Sequence, residues 1–275
     1  MRYFSLTRKG FRQFALWGGT ALFAALTALP LAAQHSYAQA ALPSLAEWQE
    51  AGFTPKVDTS ADRTTSGATR TVVTAVEVAA LIPEHNLYGV TVRPDPNLMV
   101  YLAEAPADRL VYVVLEDAAS GEFIYEQEFL VEGRSGLLNL QLPTSANGEP
   151  LLQPGQDYRW EVTLYDDAIG RSVAGVVAGY ISYVARDGVD WTNPEMLTEL
   201  AQLSPYEQGR YLLSNYIWYD GVAALSQAYQ TNPIAVEADL QTVLAISGLD
   251  EAEIQELLAA MANDQIFLAA EPKSL

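Results

Sequence analysis

Between Leu98 and Val184, apolar residues recur at every second position. Phe123, Tyr125, Phe129 and Val131 alternate with Glu126, Glu128 and Glu132. Leu138, Leu140 and Leu142 alternate with Asn139 and Gln141, and Tyr158, Trp160, Val162 and Leu164 with Arg159, Glu161 and Thr163. Successive side chains of a strand point to opposite faces, so each segment predicts a strand with one buried and one wet face. Leu98–Leu102, Leu110–Leu115 and Val176–Val184 are apolar on both faces and predict central strands. Short connections at 117–121, 133–136 and 166–171 separate these segments. With Leu87–Val92 added, about seven strands fit into roughly 100 residues, which predicts an antiparallel β-sandwich over residues 72–190.

After Trp191 the period changes. Thr192-Asn193-Pro194-Glu195 is a helix start with Pro in the first turn. Ser204-Pro205-Tyr206-Glu207 is a second start, with Glu three positions after the cap, and Asp250–Glu253 repeats that spacing. Val236, Leu240, Val243 and Leu244 form one apolar stripe; Ile254, Leu257, Leu258 and Met261 form another. Gly248 is a natural stop between them. The fold class is therefore α+β with segregated elements: a sandwich, then a small helical domain over 191–265 and a tail over 266–275. Residues 54–71, rich in Thr, Ser, Asp, Arg and Gly, make 41–71 a linker.

Two local motifs refine this picture. Leu152-Gln-Pro154-Gly155-Gln-Asp-Tyr158-Arg-Trp160 resembles the tyrosine corner of fibronectin-type and immunoglobulin-type sandwiches, which implies a Tyr158 hydroxyl bonded back across the corner. The stretch Tyr206–Pro233 resembles one tetratricopeptide repeat.

A broader resemblance spans about residues 78–255. Asn86-Leu87-Tyr88-Gly89-Val90-Thr91, followed by Pro94, Leu98 and Tyr101, resembles the opening of the domain of unknown function 928 family, found mainly in cyanobacteria. Leu152–Trp160 is similar to its middle segment. Arg171-Ser172 and Gly179 match its later positions, and Ile217-Trp218-Tyr219-Asp220 and Ser247-Gly248-Leu249 its helical end. Tyr165 departs from a Cys that many members carry, and Val222-Ala223 from a more usual Ala-Leu. The resemblance implies export and this architecture; the family has no established activity.

The first 40 residues add a compartment. Arg2, Arg8, Lys9 and Arg12 precede the apolar stretch Phe14–Ala33, and Ala38-Gln39-Ala40 is a small-x-small site, so a signal peptide cleaved after Ala40 is expected. The product would be periplasmic or secreted, touching membrane only through the signal segment if that were uncleaved. The chain carries 15 Lys/Arg against 34 Asp/Glu. Taking away the four basic residues of the leader leaves 11 against 34, a formal charge of −23. Such a surface repels phosphate backbones, which argues against nucleic acid as partner.

The chain has no cysteine, which removes disulfides and thiol nucleophiles. Only His35 and His85 could serve as imidazole bases. His35 leaves with the leader and His85 lies in a turn, so no triad or histidine-based metal site is expected. No catalytic residue, cofactor or metal ligand is assigned. Paired carboxylates remain: Asp166 with Asp167 in a turn, and Asp187 with Asp190 at the domain junction, for a glycan hydrolase or an adhesin-like calcium site. The remaining recognition candidates are the helical aromatics Tyr211, Tyr216, Trp218, Tyr219 and Tyr229, either packed against a neighbouring helix or serving as interface anchors. The leading expectation is a non-catalytic envelope protein that binds another protein or a cell-surface polymer.

Overall fold

The computed structural model describes Leu42 and residues 78–102, 108–131, 136–144, 149–184, 200–262 and 266–268. The expected leader, the linker apart from Leu42, the helix start at 192–195 and the pair Asp187 and Asp190 lie outside the described residues.

Among the described residues, nine strands and four helices follow in order: β1 Val78–Ala80, β2 Tyr88–Thr91, β3 Asn97–Leu102, β4 Arg109–Asp117, β5 Phe123–Val131, β6 Gly136–Gln141, β7 Asp157–Tyr165, β8 Val173–Tyr183, α1 Pro205–Ser214, α2 Trp218–Thr231, α3 Pro233–Ile246, α4 Glu251–Ala262 and β9 Ile266–Leu268. They form a four-stranded sheet, β1-β3-β6-β9, and a five-stranded sheet, β2-β8-β7-β4-β5. The strands expected to be central are so: β3 lies between β1 and β6, β4 between β5 and β7, β8 between β2 and β7.

Two features correct the expectation. The sheets are not wholly antiparallel, because β2 runs parallel to β8 and β9 parallel to β6. The segment expected to be a tail contributes β9, with Phe267 in register with Leu138.

The period of two explains the layering. Along β3, Leu98, Val100 and Leu102 join the core between the sheets, whereas Met99 and Tyr101 join the core shared with the helices. Leu138 and Leu140 of β6 face the other sheet, and Leu137 faces the helices. The smaller sheet is thus covered on both faces, which is why β3 reads as continuously apolar.

The helix ends follow from local chemistry. At α1, the Glu207 amide donates to Ser204 Oγ (3.3 Å) and the Ser204 amide to Glu207 Oε2 (2.9 Å), a capping box. At α4, Asp250 and Glu253 exchange the same bonds at 2.9 and 2.8 Å. The α3 end is a left-handed stop at Gly248 (φ 81°), with Leu249 N donating to Leu244 O at 3.2 Å and Gly248 N to Ala245 O at 3.0 Å. At the end of α1 the same pair of bonds forms, from Ile217 N to Leu212 O (2.9 Å) and from Tyr216 N to Leu213 O (3.0 Å), and Tyr216 takes the left-handed position (φ 64°).

Candidate functional site

The aromatics singled out in the helices are mainly structural. Trp218 and Tyr229 are buried in the core shared with the helices, Tyr211 and Tyr216 are half-buried against it, and Tyr219 is buried in the core between the sheets. Trp218 Nε1 donates to Leu81 O at 2.9 Å, tying α2 to the residue after β1. The Tyr219 hydroxyl accepts from Trp160 Nε1 at 2.6 Å and donates to Tyr180 O at 3.0 Å, so it bridges α2, β7 and β8. Burial raises the Tyr219 phenol far above its ordinary value, so it stays protonated. Tyr229 Oη reaches Leu258 O at 3.4 Å, linking α2 to α4. Buried side chains with these partners cannot anchor an external surface.

The turn acids are also accounted for. Asp166 is exposed, and Asp167 holds its own turn by accepting from the amides of Ile169 and Arg171 and from Arg171 Nε (3.2 Å). Those bonds, the Arg171 amide first, keep the Asp167 carboxyl below its usual value. Among the described residues, no group of three or more His, Cys, Asp or Glu is placed to hold a metal ion, and no helix is long and apolar enough to cross a membrane.

A cleft of about 950 Å³ opens elsewhere, between α2, α1, the β2–β3 loop and the helix-facing side of β3 and β6. From α2 the cleft takes Asp220, Ala223, Ala224, Gln227 and Gln230, spacings that put them along one face of the helix. From the smaller sheet it takes Met99 and Asn139, which are opposite one another in the β3–β6 register. The loop contributes Arg93 and Asp95, which pair with each other at 3.2 Å. Gln208 of α1 and Asn97 complete five carboxamides around the space.

Asp220 is the chemical centre of this cleft. It is 8% exposed, in the first turn of α2. Its Oδ2 accepts from Thr91 Oγ1 at 2.8 Å and from Val92 N at 2.9 Å, which fastens the end of β2 to the helix. The Thr91 hydroxyl in turn accepts from Arg93 N at 3.0 Å. Asp220 Oδ1 is buried and has no hydrogen-bond partner, and neither has Asn139 Oδ1. Burial pushes the Asp220 carboxyl up, against the opposing pull of the Val92 amide, the Thr91 hydroxyl, the charge of Arg93 and its own backbone amide.

The model of the family described as Domain of Unknown Function (DUF928) matches residues 62–257. The chain belongs to this family. Two of the segments that carried the resemblance meet in the DUF928 fold. The opening segment supplies β2 and Thr91; the helical segment Ile217–Asp220 supplies the partner carboxylate. Gly89 has no side chain because a Cβ there would lie 2.7 Å from the Tyr219 ring. No curated protein matches the chain. Among solved structures it is similar to the crystal structure of a family 76 glycoside hydrolase from a bovine Bacteroides thetaiotaomicron strain. That match has 15% identity and a TM-score of 0.23, and covers 44% of this chain and 21% of that one, so the chain spans about a fifth of that protein's length.

Sequence reasoning missed Asp220, Asn139, Arg93 and Asp95 as site residues. One signal was available for Asp220: it is a lone carboxylate inside Ile217–Leu225, a run otherwise free of charge.

Proposed function

We propose that this DUF928 protein is exported and non-catalytic, and that it binds another protein or a surface polymer in the cell envelope through the cleft at Asp220. The observation that carries this reading is the make-up of the cleft: five carboxamides around a buried carboxylate with an unused oxygen. Carboxamides both donate and accept, which suits the mixed N–H, O–H and C=O groups of a polymer chain. A signal peptide ending at Ala40 would deliver the protein to the periplasm or beyond.

The finer architecture belongs to the same proposal. A fibronectin-like or immunoglobulin-like sandwich is supported by the Tyr158 hydroxyl, which accepts from Gln153 N at 2.7 Å and donates to Gln156 Oε1 at 3.0 Å over buried Leu152. A tetratricopeptide-like α1–α2 pair is supported by its close approach, since a Cβ at Gly221 would lie 2.6 Å from Leu213. Both module types are common in interaction proteins, which is an analogy of fold alone.

The test is capture of a partner from envelope extract on the immobilised full chain. The control is Ala224→Trp, which fills the cleft from a half-buried wall position. Wild type is expected to retain a defined partner and the variant to lose it. Recovery of no partner, together with hydrolysis of an envelope glycan, would refute the proposal.

That second outcome has an observation of its own. Asp220, whose carboxyl is pushed up by burial, lines the same cleft as Asp95. Two carboxyls in unlike surroundings are what a glycosidase requires. Glycan turnover that Asp220→Asn and Asp95→Asn both abolish would establish this reading in place of binding.

A further inference from the structure

We infer that the cleft recognises a protonated primary amine, seated on Asp220 Oδ1 and Asn139 Oδ1. This rests on the binding reading above and names the chemistry of what is bound.

Buried acceptors without a donor are uncommon in folded proteins, and each is unfavourable because its lost hydration is not replaced. Here two of them, Asp220 Oδ1 and Asn139 Oδ1, belong to side chains that line one cleft. Both are short of a donor; neither is short of an acceptor. The missing group therefore brings N–H or O–H bonds inward. An ammonium brings three donors and no acceptor.

Charge selects among donors. Arg93 and Asp95 are engaged with each other, and Gln141 Nε2 also donates to Asp95 at 3.2 Å. Asp220 has no cation bonded to it, since both groups on its Oδ2, the Thr91 hydroxyl and the Val92 amide, are neutral. An anionic ligand would place its charge beside this carboxylate and would leave both orphan oxygens unsatisfied. A bare metal ion wants six or more oxygens for calcium, or near-octahedral geometry for magnesium. The described residues offer no cluster of that kind. Two N–H groups of a primary ammonium would meet the two orphan oxygens and the third a carboxamide oxygen of the cleft wall or water, and the alkyl carbon behind it can lie against Met99, Ala223 and Ala224. The amine would also favour the ionised form of Asp220, which burial alone disfavours.

A lysine side chain and an amino sugar both present this group. The experiment separates them. The full chain is melted with n-butylammonium chloride, with butyltrimethylammonium chloride and with potassium chloride at equal ionic strength. Butyltrimethylammonium carries the same charge but no N–H. At ten times Kd, butylammonium is expected to raise the midpoint by on the order of 3–6 °C, and the other two salts to do no more than screen. N-acetyl-lysine-N-methylamide and glucosamine are then compared; whichever binds tighter names the source. Asp220→Asn is expected to weaken the amine roughly tenfold or more. Because Asp220 also fastens β2, Asn139→Leu serves as a second variant and should weaken the amine without touching that bond. Equal responses to the primary and quaternary amines, or none to either, would overturn the inference. So would a calcium response in the absence of an amine response. If the amines fail while the full chain still captures a partner that Ala224→Trp loses, the amine inference falls and the binding reading stands. If both fail, the binding reading falls with it.

Discussion

Asp220 makes two claims that pull apart, one structural and one chemical. Its Oδ2 joins α2 to β2, and its Oδ1 has no partner. Its carboxyl is raised by burial, so the folded state binds the proton more tightly than the unfolded chain does. The stability from that proton is fully present below the unfolded value, about 3.9, and is lost as pH rises through the folded value. Asp220→Asn keeps an oxygen for Thr91 and Val92 and carries no charge. The deficit of Asp220→Asn relative to wild type is therefore expected to shrink, or reverse, between pH 4 and pH 7, as read by denaturant midpoints. A constant difference across that range would show that Asp220 ionises without penalty. Tyr219 gives a companion case. Tyr219→Phe removes the acceptor of the buried Trp160 N–H and the donor to Tyr180 O, so a loss of about 1–3 kcal/mol is expected by chemical denaturation. The Tyr158 corner was legible because its hydrogen bond spans only five residues within one motif. The cleft was not, because Asp220 meets Thr91 across 129 positions and no local spacing reports that distance.

Strands and helices were legible to the extent that one side-chain rhythm defines them. The alternation in β6 places Leu138 and Leu140 on the face turned to the other sheet, and the caps at Ser204 and Asp250 form the bonds their spacing predicts. What alternation does not encode is direction or neighbour. A period of two is the same for parallel and antiparallel pairs, so the parallel joins of β2 to β8 and β9 to β6 left no trace in it. β9 is three residues long, too short to show a period. Tyr216 illustrates a different limit. Its aromatic ring suggested recognition, whereas its backbone closes α1 in the conformation that Gly248 supplies for α3. Gly248→Ala is expected to lower stability by about 1 kcal/mol or more. Its left-handed backbone disfavours a side chain, and the added Cβ would lie 2.6 Å from the Glu84 carboxylate. A melting curve within 1 °C of wild type would show that the β1–β2 loop yields without penalty.

The charge of −19 acts on the molecule as a single body. Like charges repel across a compact surface and are relieved by unfolding, so the folded state is weakened at low ionic strength. Local bonds oppose this at only a few acids. Asp117 is held below its usual value by the Ser120 amide, and Glu207 by the Ser204 hydroxyl. Depressed carboxyls of this kind contribute stability above the unfolded value and lose it as pH falls through the folded one. The two effects have separate pH windows. Between pH 7 and about pH 5 neither Asp117 nor Glu207 titrates; the repulsion and the Asp220 proton favour the fold as pH falls, against the single imidazole of His85, which desolvation holds below its usual value. The melting midpoint in 10 mM buffer is therefore expected to rise by a few degrees as pH falls from 7 to 5, then to decline below about 4. At pH 7, sodium chloride should supply part of the same gain, because the Debye length shrinks from about 30 Å at 0.01 M to 10 Å at 0.1 M. In Asp220→Asn the salt effect should persist while the rise towards pH 5 becomes smaller. A midpoint that falls steadily from pH 7 to pH 5 at low salt would overturn the summed charge as the governing term and would point to protonation of the His85 imidazole.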